Sequence, residues 1–264
     1  MAGDGTVGLP MELADGLRLR WATAADFEQL ADFNVRIHAD DPEDEPALRH
    51  WFYDLASGEH PTTTIEDFTI VERVEDGKIV STLCTIPQTW AYEGILFPVG
   101  RVELVGTLEA YRRRGLVRLQ MEAVHAKGAE RGELMQGITG IPWYYRKFGY
   151  EMTLDLGGGR FYLWEKPGNL RHLSDEEERY TWRIAREGDI PFLEQLYRIQ
   201  CGASMIYTVR NPAEWRHELN GHDEKSLYFR LRWIISDKKL GDVAYVQFRI
   251  GEPSIVVSEL AVVP

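Results

Sequence analysis

Cysteine is scarce in this sequence. Cys84 and Cys201 are the two among 264 residues, far apart and each flanked by ordinary core-type neighbours. That argues against a disulfide framework or a cysteine-based metal site and predicts two reduced, structural thiols. No stretch of 18 uninterrupted apolar residues occurs. The opening MAGDGTVGLPMELADG carries acids and glycines where a secretory leader needs a basic start and an apolar run. A soluble, cytoplasmic protein with no membrane partner is therefore expected, with residues 1–16 as a flexible tail. Positive charge is also in deficit: 30 basic side chains stand against 42 acidic ones, for a net charge of −12. Phosphate-backbone binding needs a broad basic surface, so no nucleic-acid partner is expected. The histidines are scattered without ligand spacing, and no metal is assigned.

What is present is a hydrophobic content of 44%, enough for one large or two modest domains with real cores. The stretch LRLRWATAADFEQLADFNVRI begins as an alternating strand and changes period. Thr23 and Asp26 have the spacing of a capping box, and Phe27, Leu30, Phe33 and Ile37 recur at helical intervals. After an acidic loop and a short helical segment around Trp51, DFTIVERVEDGKIVSTLCTI predicts two strands joined at Asp76-Gly77. RVELVGTL, residues 101–108, predicts another strand. Val117, Met121 and Val124 then form the apolar stripe of a helix. LMQGITG follows as a strand, IPWYYRKFGY as a short helix ending at Gly149, and YEMTLDLGGGRFYLWE as a hairpin. Residues 166–180 read as a linker. Beyond it, WRIAREGDIPFLEQLY matches LRWATAADFEQLADFN, pairing Arg20 with Arg183 and Asp26 with Asp189. Glu103 follows Asp26 by 77 residues, and Glu259 follows Asp189 by 70, so residues 181–264 read as a partial repeat.

The basic charge that exists is concentrated in YRRRGLVR. A strand turning sharply into a helix aims unpaired N–H groups and the positive end of the helix dipole at one spot, which makes an anion site. Gly115 permits close backbone approach, and Arg112, Arg113 and Arg114 add charge. Because adjacent helical residues diverge by about 100°, only one or two of them can converge on one group. A solvated helix start paired with surface acids is the alternative.

Arg112-Arg113-Arg114-Gly115-Leu116-Val117 resembles the R/Q-x-x-G-x-G/A signature of GNAT acetyltransferases. Tyr145-Arg146-Lys147-Phe148-Gly149-Tyr150, 33 residues on, resembles that family's Y-x-x-x-G-F/Y element. The triple arginine and the repeated half are most similar to the Eis-like branch, which has tandem GNAT domains. The resemblance implies an α/β (α+β) fold over residues 17–165, with a mixed, largely antiparallel sheet flanked by helices, followed by an incomplete second GNAT-like domain. It implies acetyl-CoA as cosubstrate. Val105, Gly106 and Thr107 would pair with its pantetheine arm, and the turn formed with Leu116, Val117 and Arg118 would cradle the phosphates. Two departures stand out: Glu109 occupies a position where the family often has proline, and Val117 replaces a small residue at the helix start.

By the same resemblance Tyr145 is the acid that protonates the departing thiolate; the alternative is an aromatic core cluster of Trp143, Tyr144, Tyr145, Phe148 and Tyr150. An acceptor amine like that of lysine is protonated near neutral pH and needs a base. Glu103 is the candidate, placed by simple alternation on the face of Val105 and Thr107; a salt bridge to Arg101 is the alternative. The acidic run from Asp40 to Glu45 is either a solvated loop or a funnel for a cationic substrate. The expectation is an acetyl-CoA-dependent N-acetyltransferase acting on an amine-bearing acceptor, with a homo-oligomer allowed. The rivals are a catalytically silent acyl-CoA-binding scaffold and a fragment of a longer chain.

Overall fold

A computed structural model describes residues 8–141, 143–154, 160–163, 174, 178–251 and 254–264. The chain forms two compact units, Met1–Thr153 with Gly221–Tyr228, and Leu154–Asn220 with Phe229–Pro264. In the first unit β1 (Met11–Leu13), β2 (Leu17–Trp21), α1 (Phe27–His38), α2 (Glu45–Ala56), β3 (Phe68–Arg73), β4 (Ile79–Tyr92), β5 (Ile95–Thr107), α3 (Leu116–Glu130) and β6 (Met135–Ile138) follow in order. The strands lie side by side in that same order. Every pairing is antiparallel except β5 with β6.

Two helices on one face and one on the other enclose the sheet. Leu83 and Cys84, neighbours on β4, point to opposite faces. Leu83 packs with Val102, Met121 and Val124 of the α3 side; Cys84 packs with Leu30, Phe33, Phe52 and Leu55 of α1 and α2. Both cysteines are free and buried, as the sequence predicts. Thr23 and Asp26 form the expected capping box, and Gly77 turns the β3–β4 hairpin with φ of +68°. Glu93 and Gly94, both at positive φ, close a second tight turn, between β4 and β5.

Two expectations need correction. The tail is not wholly flexible, because Met11–Leu13 pairs with β2 and Glu12 bonds Arg18 at 2.6 Å. The hairpin around Gly157–Gly159 falls on residues outside those described, and the strand after it, β7 (Arg160–Leu163), pairs in the second unit's sheet. The linker expected over 166–180 also lies mostly outside the described residues. The second unit continues with β8 (Tyr180–Ile184), α4 (Ile190–Cys201), β9 (Ile206–Val209), α5 (Pro212–Arg216), β10 (Arg232–Asp237), β11 (Gly241–Gly251) and β12 (Ser254–Val262). Its sheet runs β7-β12-β11-β10-β8. Leu193 and Leu196 of α4 pack there on Trp215, Ile234, Tyr245 and Ala261. Among the described residues, no helix is long and apolar enough to cross a membrane, and no cluster of three or more His, Cys, Asp or Glu could hold a metal.

Candidate active site

The site begins with one extra residue in β5. Cys84 pairs with Glu103 and Thr82 with Gly106, so Leu83 alone faces both Leu104 and Val105. Leu104 takes up this bulge at φ of +54°, a conformation that L-residues other than glycine seldom adopt. The side-chain alternation is reset there. Val102 and Val105 both pack on the α3 side, whereas Leu104 packs with α1 and α2. Glu103 therefore does not share the face of Val105 and Thr107 that simple alternation assigns it; it lies on the α1 side.

Immediately beyond, the sheet opens. β5 and β6 pair in parallel from Val99 with Met135 to Val102 with Ile138, and among the described residues no strand continues along that edge of residues 103–107. Glu103 sits at the parting. Its Oε1 accepts from Arg101 Nε at 2.9 Å, from the Arg101 Nη2 atom at 2.5 Å and from Thr139 Oγ1 at 3.4 Å. All three bonds converge on one oxygen. The Arg101 ion pair named as the alternative to a base thus exists, yet it leaves Oε2 for another donor.

At the end of β5 the predicted anion turn takes shape. Residues 109–111 make one turn of 3₁₀ helix, Arg113 and Gly115 both adopt positive φ, and α3 starts at Leu116 with no side-chain cap. The first N–H groups of the helix are left for a ligand or solvent. The three arginines diverge, as geometry requires. Arg112 Nε donates to the Thr107 carbonyl at 3.2 Å, which braces the strand. Arg114 bonds Asp15 at 3.2 Å and lies over the Tyr111 ring. Arg113 is exposed and makes no such contact among the described residues. Arg118 reaches the Lys147 carbonyl at 3.4 Å and covers the Phe148 ring. Leu116 is buried toward α1 and α2, and the side chain of Val117 packs into the α3-side cluster, so the branched residue does not obstruct the helix start. Gly106 fits α1 closely: a Cβ there would lie 3.0 Å from Ile37 Cγ2 and 3.1 Å from Phe33 Cε1.

Tyr145 opens a single 3₁₀ turn that Gly149 ends at φ of +94°. Its ring packs with Phe148 and Tyr150 against the α3-side core, so the core-cluster reading holds for part of the side chain. Burial, with Tyr144 and the Glu103 carboxylate adding to it, pushes the Tyr145 phenol up to about 12. It therefore carries its proton throughout the neutral range, and the influence of Glu103 on it ties the two candidate catalytic groups to one locality.

A family model described as an acetyltransferase (GNAT) domain matches residues 18–153. The chain belongs to the GNAT family. Among solved structures, a probable N-acyltransferase from Enterococcus faecalis is similar at 14% identity and a TM-score of 0.65, over 94% of this chain and 59% of its own. Saccharomyces cerevisiae N-myristoyltransferase with bound myristoyl-CoA is similar at 12% identity and 0.66, over 96% and 67%. A GCN5-related N-acetyltransferase from Anabaena variabilis is similar at 17% identity and 0.64, over 94% and 59%. At these identities the likeness is one of fold, and it shows the expected GNAT architecture. The chain spans about three fifths of the length of the first of these proteins. No curated protein sequence matches it.

Within this GNAT domain three residues near Glu103 escaped sequence reasoning as site residues. Thr139 bonds the carboxylate directly. Tyr228, far along the chain, lies close enough to Arg101 to act on its charge; burial opposes the charge on that guanidinium, and Glu103 and Tyr228 outweigh it. His38, the last residue of α1, has a buried Nε2 with no hydrogen-bond partner among the described residues, 3.5 Å from where a Gly106 Cβ would sit. Burial lowers its pKa, against the opposing pull of the Leu104 backbone and Glu103. The sole sequence signal for His38 was its position at the end of the first predicted helix.

Proposed function

We propose that this GNAT protein transfers an acetyl group from acetyl-CoA directly to a primary amine, on a cationic small molecule or a lysine side chain. The observation that carries the reading is the open edge of β5 at residues 103–107, continuous with an uncapped helix start. The residues fit the cosubstrate. An extended pantetheine arm can add along that edge as a strand would, beside Val105. The N–H groups from Gly115 to Arg118 can donate to phosphate oxygens, and nothing lies within 4 Å of the place a Gly115 Cβ would take.

Acetyl-CoA supplies the activated acyl group. Glu103 Oε2 holds the incoming ammonium and accepts its proton, with Arg101 and Thr139 fixing the carboxylate through Oε1. Tyr145 donates a proton to the sulfur that leaves. A donor held near 12 is well above an ordinary thiol near 8.5, but a thiolate forming in the same apolar surroundings is also disfavoured, which narrows the gap. The second unit is read as the incomplete copy of an Eis-like tandem pair, supported by the Arg20–Asp26 ion pair of the first unit recurring as Arg183–Asp189 in the second.

The Arg101–Glu103 pair favours a second reading, a silent acyl-CoA-binding scaffold. Thiol release from acetyl-CoA with a panel of amines separates the two. Transfer predicts turnover on at least one amine and a loss of about 100-fold in kcat for Tyr145→Phe with acetyl-CoA binding retained. Binding without turnover on any amine supports the scaffold, and full turnover by the folded variant removes Tyr145 from the mechanism.

A further inference from the structure

The segment Gly221–Tyr228 belongs to the first unit although it lies deep in the second half of the sequence. It is fastened along α2. The Leu227 N–H donates to the Ala47 carbonyl at 3.0 Å, His222 Nδ1 lies 3.1 Å from Asp54 Oδ2, and His50 Nδ1 lies 3.3 Å from Asp223 Oδ2. Ser226 is buried and, with His222, favours the charged form of Asp54. The segment ends at Tyr228, whose ring centre is 4.8 Å from that of Trp51. Trp51 is buried, whereas Tyr228 is 41% exposed. The Tyr228 hydroxyl lies close enough to act on the charge of Arg101, the residue that grips Glu103.

We propose that Gly221–Tyr228 is the acceptor-side wall of the transfer site, and that Tyr228 selects a primary amine carried on a flat, apolar body. The inference rests on the acyl-transfer reading above. Beside Glu103, whose Oε2 is left for an ammonium group, stands a rigid, half-exposed ring backed by a buried indole, an arrangement that binds flat apolar groups at low entropic cost. The other group bonded to Glu103, Thr139, is followed by Ile141 and Trp143, which are 64% and 67% exposed. Apolar surface therefore adjoins the site from two parts of the chain. A polyamine would need a second anion, but the charged neighbour of Glu103 is the cation Arg101, which repels a second ammonium. The acids from Asp40 to Glu45 remain exposed to solvent.

The test measures acetyl transfer to tryptamine and to spermidine by the full chain and by Tyr228→Ala and Tyr228→Phe. Tryptamine should exceed spermidine in kcat/KM by at least about tenfold. Tyr228→Ala should raise the tryptamine KM about tenfold, and Tyr228→Phe, which keeps the ring, should hold it within about twofold. The acetyl-CoA KM should not move in either variant, which also reports that each is folded; Tyr228→Leu replaces Tyr228→Ala if the alanine variant does not fold. Preference for spermidine, or an unmoved tryptamine KM in Tyr228→Ala, overturns the wall. If neither amine is acetylated, calorimetric titration of tryptamine onto the CoA-loaded protein still decides. Binding weakened about tenfold by Tyr228→Ala keeps the wall while the transfer reading fails, and absent or unaltered binding ends the proposal.

Discussion

Each unit carries a glutamate beside a strand bulge. In the first it is Glu103, next to Leu104 in β5; in the second it is Glu259, next to the extra residue Ser258 in β12. Burial does not distinguish them, since their side chains are 13% and 11% exposed. What differs is the second oxygen. Arg210 grips both oxygens of Glu259, at 2.8 and 2.9 Å, with Tyr245 adding a bond to Oε1 and Arg232 lying 3.6 Å from Oε2. Burial would raise this carboxyl, but Arg210 and Arg232 hold it below its ordinary value. Among the described residues the hydrogen bonds of Glu103 all fall on Oε1. One carboxylate has both oxygens held within its unit, and the other has one oxygen without a hydrogen bond among the described residues.

The largest effect expected from this contrast is on stability. Glu259→Ala leaves Arg210 and Arg232 without their shared counter-charge and should cost about 3–5 kcal/mol in denaturant unfolding. Glu103→Ala should cost less, because it leaves one arginine unpaired instead of two and Arg101 is 26% exposed; equal losses would end the comparison.

A second contrast lies in the latch that both units share. Arg20 forks onto Asp26 at 2.8 and 2.7 Å and bonds Glu72 at 2.7 Å. Arg183 forks onto Asp189 at 2.6 and 2.8 Å and bonds Asp242 at 2.9 Å. In the first unit both carboxylates are 9% exposed; in the second the arginine itself is 44% exposed. Arg20→Met should therefore destabilise by about 3 kcal/mol and Arg183→Met by under about 1 kcal/mol, read from paired urea melts.

On turnover the ranking reverses. Glu103→Gln should lower kcat by about 100-fold while leaving acetyl-CoA binding intact, and Glu259→Gln should leave the kcat of the remaining folded protein unchanged. A Glu103→Gln enzyme with wild-type kcat would move the base elsewhere, with His38 the next residue to change.

The smallest effect concerns acid. For Asp26, burial acts upward, but Arg20 and Thr23 outweigh it and the carboxyl titrates below its ordinary value; for Asp189, Arg183 leads in the same direction. A depressed native pKa means the stabilisation is complete above the unfolded value near 3.9 and is lost as pH falls through the native one. Asp26→Asn should flatten the dependence of unfolding free energy on pH below about 4. A slope identical to wild type would show that Asp26 does not contribute to it.

Local chemistry made much of this legible. The Thr23–Asp26 capping box, the turns at Gly77 and Gly149 and the arginine-glycine turn each rest on a few adjacent residues whose preferences agree with the fold. The bulge was not legible, because Leu104 adopts a conformation its residue type avoids and only tertiary packing on both faces holds it there. The Arg101–Tyr228 contact and the pairing of β7 with β12 join residues distant in sequence, which no local spacing can announce. These were also the features that decided which face Glu103 occupies and what stands beside it.

The bulge at Leu104 acts as a change of parity in the strand. On its upstream side Val102 faces α3, and on its downstream side Val105 and not Gly106 does, so the count of residues between them sets which layer each side chain joins. Removing Leu104 would leave Val102 and Val105 two residues apart, the spacing at which a regular strand keeps both on the α3 face with Glu103 between them on the other, whereas adding one more residue would turn either Glu103 or Val105 and Thr107 to the opposite layer. A single-codon insertion beside Leu104 should therefore disrupt the site more completely than deletion of Leu104 itself.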